Sequence, residues 1–186
     1  MTRRADFNAE DWSTVVNGPL YAGMRVISAD RGGRLRETAA MGRVYQEARE
    51  RHGESELLDE LIKSPPSIDL DQLRVAGGDI AALASRQLRE ASRIIEAKAT
   101  ASEIEDYKRF VWTVAQAVAH AHKEGGFLGV GGKPVSDAEN QALDEISAAL
   151  GDPRPAGNDP LAPKAPVRAS SENCSPVRSS ASPRGG

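Results

Sequence analysis

The chain has 186 residues, 39% of them hydrophobic but only 4% aromatic, with 27 acidic side chains against 24 basic ones. That is the length of one domain, and the near balance of charge excludes the clustered basic excess of an ordinary nucleic-acid binder. A lone cysteine, Cys174, excludes an intramolecular disulfide framework and a zinc site built from several thiolates.

Taken in chain order, Asn8 is a good N-cap for a first helix carrying Trp12, Val15 and Val16; Gly18 is expected to end it, and Pro19 to open a second one with Leu20, Met24 and Ile27. After the turn at Asp30 to Gly33, Leu35, Ala39, Gly42, Tyr45 and Ala48 recur at helical spacing up to His52-Gly53. A short helix around Leu57, Leu58, Leu61 and Ile62 is stopped by Ser64-Pro65-Pro66, since neither proline can extend the ladder. A linker with Ile68, Leu70 and Leu73 leads to a long amphipathic helix starting near Gly78-Asp79, with Leu83, Ala84, Leu88, Ala91 and Ile95 on one face. Thr100-x-x-Glu103 and Ser102-x-x-Glu105 are overlapping capping boxes for the next helix. That helix, over 103–124, is apolar around most of its circumference and is therefore expected at the centre. Ser136-x-x-Glu139 announces the last helix, with Ala142, Leu143, Ile146 and Leu150, and Gly151-Asp152-Pro153 ends it.

No segment shows sustained period-two alternation, so the fold class is all-α: a single globular multi-helix domain over 1–150 around a central buried helix. Seven of the eleven prolines lie beyond Leu150 among Ser, Ala, Gly and Arg, and 151–186 reads as a disordered Pro/Ser/Arg-rich tail that cannot bury enough surface to fold. The tail carries five bases and three acids, which leaves residues 1–150 with 24 acids against 19 bases, a charge of about −5. Phe110 to Ala119 falls short of the roughly 18 apolar residues of a spanning helix. Asp6, Glu10 and Asp11 follow Arg3 and Arg4 too closely for an export signal, and a cytoplasmic location is expected.

Two stretches share a design of apolar helix, Gly-containing turn and a helix opening on an acid: Ile27 to Glu37, and Gly131 to Glu139. This turn resembles that of the TerB-like tellurite-resistance helical domains. The resemblance implies an all-helical fold with acids at Asp30, Glu37, Asp137 and Glu139 as divalent-metal ligands. Gly131 stands where that family has an Asp, and Arg31, Arg34 and Arg36 surround the first turn. Acids also serve simply as first-turn residues at helix N-termini, where negative charge is favoured.

The segment Gly125-Gly126-Phe127-Leu128-Gly129-Val130-Gly131-Gly132-Lys133-Pro134 is neither a Walker loop nor a dinucleotide fingerprint: position 127 is not Gly, Pro134 replaces the hydroxyl residue, and no strand precedes it. Phe127, Leu128 and Val130 either pin this loop to the core or face outward beside Lys133 as a contact surface; its backbone N–H groups can also cradle an anion. Its wording, running into a capped helix, resembles a group of uncharacterised bacterial helical proteins. His120 and His122 lie two apart on a helix and cannot chelate one ion together. No nucleophile sits in a recognisable motif, so the expectation is a non-catalytic helical interaction module with a protein partner, without a cofactor, nucleic acid or membrane span.

Overall fold

The computed structural model describes residues 1–29, 34–51, 53, 55–67, 71, 79–121 and 135–151. Among them it contains six α-helices and no strand: α1 (Ala9–Ile27), α2 (Arg34–Glu50), α3 (Glu56–Lys63), α4 (Ile80–Lys98), α5 (Ala101–Ala121) and α6 (Asp137–Leu150). The tail beyond Gly151 and the linker residues Ile68, Leu70 and Leu73 lie outside the described residues.

Local chemistry sets most helix ends. The side chains of Asn8, Ser55, Asp79 and Ser136 accept from the backbone N–H groups of Asp11, Leu58, Ala82 and Glu139, each filling one of the orphan donors of a first turn. Of the two overlapping boxes before α5, Thr100–Glu103 is the one that forms: the Thr100 N–H donates to Glu103 Oε2 at 2.9 Å, and Glu103 N–H lies 3.5 Å from Thr100 Oγ1. α6 closes on Gly151 in the left-handed region at φ 74°, which only glycine enters without a Cβ penalty.

α5 is the axis. Tyr107, Phe110, Val111, Trp112, Val114, Ala115, Val118 and Ala119 are all buried, so neighbours surround it, as its apolar circumference requires. Withdrawing each large side chain from water contributes roughly 1.5–3 kcal/mol before chain entropy is counted. Gly18 of α1 faces Tyr107 and Gly23 faces Val118, so α1 and α5 run in the same direction. α4 runs against α1, with Ala91 at Gly18 and Lys98 at Asp11. α2 runs against α5, with Tyr45 edge-on to Phe110 and Met41 near Gly23 and Val118. α6 also returns antiparallel to α5, since Gly151 at its end meets Lys108 near the start of α5.

Two expectations are corrected. The break at Gly18-Pro19 does not occur: α1 continues through both residues. A proline inside a helix leaves the carbonyl four residues earlier without its donor, here that of Val15. The Tyr107 hydroxyl donates to that oxygen at 2.9 Å. Gly18 makes this possible, because a Cβ there would stand 2.1 Å from Tyr107 Oη. Asn-Gly-Pro is thus a notch for a tyrosine rather than a boundary. On α2, the inward face is set by Ala40, Val44 and Tyr45, while Ala39 is exposed and a Cβ at Gly42 would meet nothing within 4 Å. The expected stripe departs from the observed face at Ala39 and Gly42 and agrees with it at Tyr45, because the helix carries mostly small and charged residues that define no sharp apolar edge.

Candidate functional site

This parallel and antiparallel arrangement gives the bundle two unlike ends. At one end α1 and α5 begin and α4 stops, and the N-terminal segment is buckled over it. Glu103, only 6% exposed, accepts from the Thr2 N–H at Oε1 and from the Thr2 hydroxyl at Oε2, both at 2.8 Å. Arg4 N–H donates to Glu60 at 2.6 Å and the Arg3 guanidinium pairs with Glu56, tying the same segment to α3. Lys98 lies 5.6 Å above the Phe7 ring and 3.5 Å from Asp11, and Phe7 packs against Trp12 with the rings tilted by 55°. Burial alone would raise the Glu103 carboxyl, but hydrogen bonds from Thr2 and Thr100 outweigh it and hold the group at about 2. Beyond closing its own capping box, Glu103 is a structural clasp for the N-terminal segment.

At the other end α1 and α5 stop and α2, α4 and α6 begin. Here stand the two expected metal-site acids whose side chains are described and buried, Glu37 at 1% and Glu139 at 2% exposure. Glu139 closes a complete capping box: its Oε2 accepts from the Ser136 N–H at 2.7 Å and the Ser136 hydroxyl at 3.0 Å. Asp137, by contrast, is exposed. Asp30, and the contact-loop residues Phe127, Leu128, Val130 and Lys133, lie outside the described residues, but the segment holding those four joins Ala121 to Val135 at this same end. Among the described residues, no group of three or more His, Cys, Asp or Glu side chains is placed to hold a metal ion. Glu37, Asp137 and Glu139 therefore do not make a complete site by themselves, whereas a hard divalent cation wants several oxygen ligands.

An ion pair that the sequence did not announce supports this end. Arg25, 7% exposed, reaches from α1 to α6 and places both Nε and Nη2 at 2.9 Å from Glu145 Oε2. The Arg25 hydrogen bond holds the Glu145 carboxyl below its ordinary range against the opposing effect of burial. The only forward signal was an arginine inside the apolar stretch of α1, a residue type rarely buried unless paired.

Burial pushes the Tyr45 and Tyr107 phenols well above their usual range, so both stay protonated near neutrality. Tyr45 Oη, Ser92 Oγ and Gln116 Oε1 are buried without a hydrogen-bond partner among the described residues. Lining the outer side of α4 is a shallow, open depression of about 420 Å³ bordered by Arg86, Gln87, Arg89, Glu90 and Arg93. Among the described residues no helix is long and apolar enough to cross a membrane. Comparison with protein-family models, with curated proteins and with solved structures finds no match for this chain.

Proposed function

We propose that the chain is a non-catalytic, cytoplasmic helical interaction module that holds a protein partner at the end of the bundle where α2 and α6 begin. The observation that carries this reading is the contrast in surface. Met1 is the one exposed large apolar side chain among the described residues, and the apolar triplet Phe127, Leu128 and Val130, with Lys133, joins the bundle at that end. Adjacent large apolar side chains in a polar chain are the raw material of a contact patch. The test uses the full chain and a Phe127→Ala/Leu128→Ala variant as baits. The expected result is a partner held by the first and released by the second, with both melting within a few degrees. A Phe127→Ala/Leu128→Ala protein that has lost many degrees of stability would move the loop into the core, and turnover of a metabolite by purified protein would replace the reading with an enzyme.

A second reading is a metal-linked stress-response role of the TerB-like kind, with Asp30, Glu37, Asp137 and Glu139 as ligands. Its support is the placement of the buried Glu37 and Glu139 at the same end of the bundle. Calorimetry of the full chain with Ca²⁺, Mg²⁺, Mn²⁺ and Zn²⁺ tests it. Binding lost in Glu37→Gln supports the role, and no heat beyond dilution ends it.

A further inference from the structure

α4 buries Leu83, Ala84, Leu88, Ala91, Ile94 and Ile95, and turns the opposite side to solvent. That outward side carries Arg86, Arg89 and Arg93, all exposed and spaced three and four residues apart, hence on one stripe. Glu90, the acid among them, gives both of its oxygens to Arg93. Arg86 and Arg89 are left with no ion pair or hydrogen bond among the described residues.

Nothing in helix energetics calls for this cluster. Like charges at three- and four-residue spacing disfavour a helix, and a basic side chain gains from the helix dipole only in the last turn, which Lys98 occupies. The remainder of residues 1–150 is acidic overall, so a local excess of arginine stands against its surroundings. All three cations are arginines, whose planar fork pairs with carboxylates through two parallel hydrogen bonds, as lysine cannot. The depression between them is formed by one helix only and is too open to enclose a small ligand.

We propose that the Arg86–Arg89–Arg93 stripe of α4 is a docking surface for an acidic segment of a partner protein. Carboxylates matched to the unpaired Arg86 and Arg89 would lie about 5 Å apart, the rise of three residues along a helix, which two residues of extended chain also cover. The chain's own tail carries a positive excess and is not the complement. A nucleic acid fits less well: three arginines neutralise roughly three phosphates, and the acidic remainder of the domain repels a long polyanion. This surface lies on the flank of the bundle and stands independently of the role proposed for its end.

The test is fluorescence anisotropy of a labelled oligoglutamate peptide with the full chain, at low and at physiological salt. Binding is expected to fall about tenfold or more in Arg86→Glu/Arg89→Glu and to weaken less in Arg86→Lys/Arg89→Lys, which keeps the charge but not the fork. Arg49→Glu/Arg51→Glu, which alters the end of α2, should bind within about twofold of the parent because its charges lie off the stripe. All four positions are exposed, three of them on helices and Arg51 just past the end of α2, and an unchanged melting curve verifies the fold of each variant. Three results overturn the proposal: no peptide binding by the parent at low salt, an equal loss in the α2 pair, or tighter binding of a DNA duplex than of the peptide.

Discussion

The two ends of the bundle open their helices with the same device and use it differently. Thr100-x-x-Glu103 starts α5 and Ser136-x-x-Glu139 starts α6; in both, the glutamate is buried and bonds back to its own cap. At the α5 end the carboxylate goes on to seize Thr2, a residue 101 positions away, and becomes part of a clasp with Arg4–Glu60 and Lys98–Asp11. At the α6 end the glutamate stands where α1 and α5 stop, where α2 brings in Glu37, and where the Phe127 segment is attached. A capping box fixes where a helix starts, but the role of the remaining oxygen depends on which distant segment the fold lays over it. One end is therefore a fastening, and the other is the end to which the proposed contact surface belongs.

The largest test of the fastened half lies one turn inward from its clasp. Gly18→Ala puts a methyl group 2.1 Å from the hydroxyl of a fully buried tyrosine, which cannot swing away. The expected loss is about 3 kcal/mol, or roughly 6–12 °C in melting temperature for a domain of this size. Tyr107→Phe alone should cost about 1–3 kcal/mol by leaving the Val15 carbonyl without a donor. The double variant should cost less than the sum, because removing the hydroxyl removes the clash. Simple additivity would show that the notch is not what holds α1 to α5.

Next comes the clasp itself. Glu103→Ala strips acceptors from Thr2 and Thr100 and is expected to cost about 2–3 kcal/mol. The pH dependence has a definite sign. The carboxyl sits at about 2 in the folded chain against an ordinary 4.5, so its contribution is fully present above about 4.5 and is lost as pH falls toward 2. Urea melts across that window should therefore fall more steeply for the parent than for Glu103→Gln. Parallel profiles would mean that the N-terminal segment is not held by an ionised carboxylate.

Much of this was readable from short spacings, because caps are local chemistry: Asn8, Asp79, Thr100, Ser136 and Gly151 each act on residues a few positions away. What escaped is what depends on distant partners. Gly18-Pro19 reads as a break until Tyr107 supplies the missing donor. Glu103 reads as a capping acid alone, and nothing in the sequence marks Glu145, until Thr2 and Arg25 arrive from other parts of the chain. For the candidate site, the acids at helix starts were legible at Glu37 and Glu139, but their sharing one end follows from α2 and α6 both running against α5, a fact of packing. The α4 stripe carries no signal in the sequence, because arginines at helical spacing are what any solvated face offers; the structure adds that Glu90 pairs with only one of them, Arg93.

A smaller effect is expected at Arg25. Arg25→Met keeps most of the buried stem and removes the cation, leaving Glu145 half-exposed and able to hydrate. A cost of about 1 kcal/mol is expected, well below that of a fully buried pair losing one partner. A loss of about 3 kcal/mol or more would show that the α6 end is fastened as firmly as the other, and would erase the distinction between them.

The finest test sets Glu139→Gln against Glu103→Gln, one atom changed at equivalent places in the two boxes. Glutamine at this position can still reach back to the cap N–H, so α6 should keep its start, and loss of the charge that favours a helix N-terminus should cost about 0.3–1 kcal/mol. Glu103→Gln should cost more, because an amide cannot accept from Thr2 and Thr100 at both positions: one carboxylate oxygen that took hydrogen bonds becomes a donor facing donors. In binding the order should reverse. Glu139→Gln changes the end to which the Phe127 segment is attached, whereas Glu103→Gln leaves that end untouched. If melting curves and partner retention instead change together in both variants, the two boxes serve the same purpose, and the contact surface must be sought on the flank of α4.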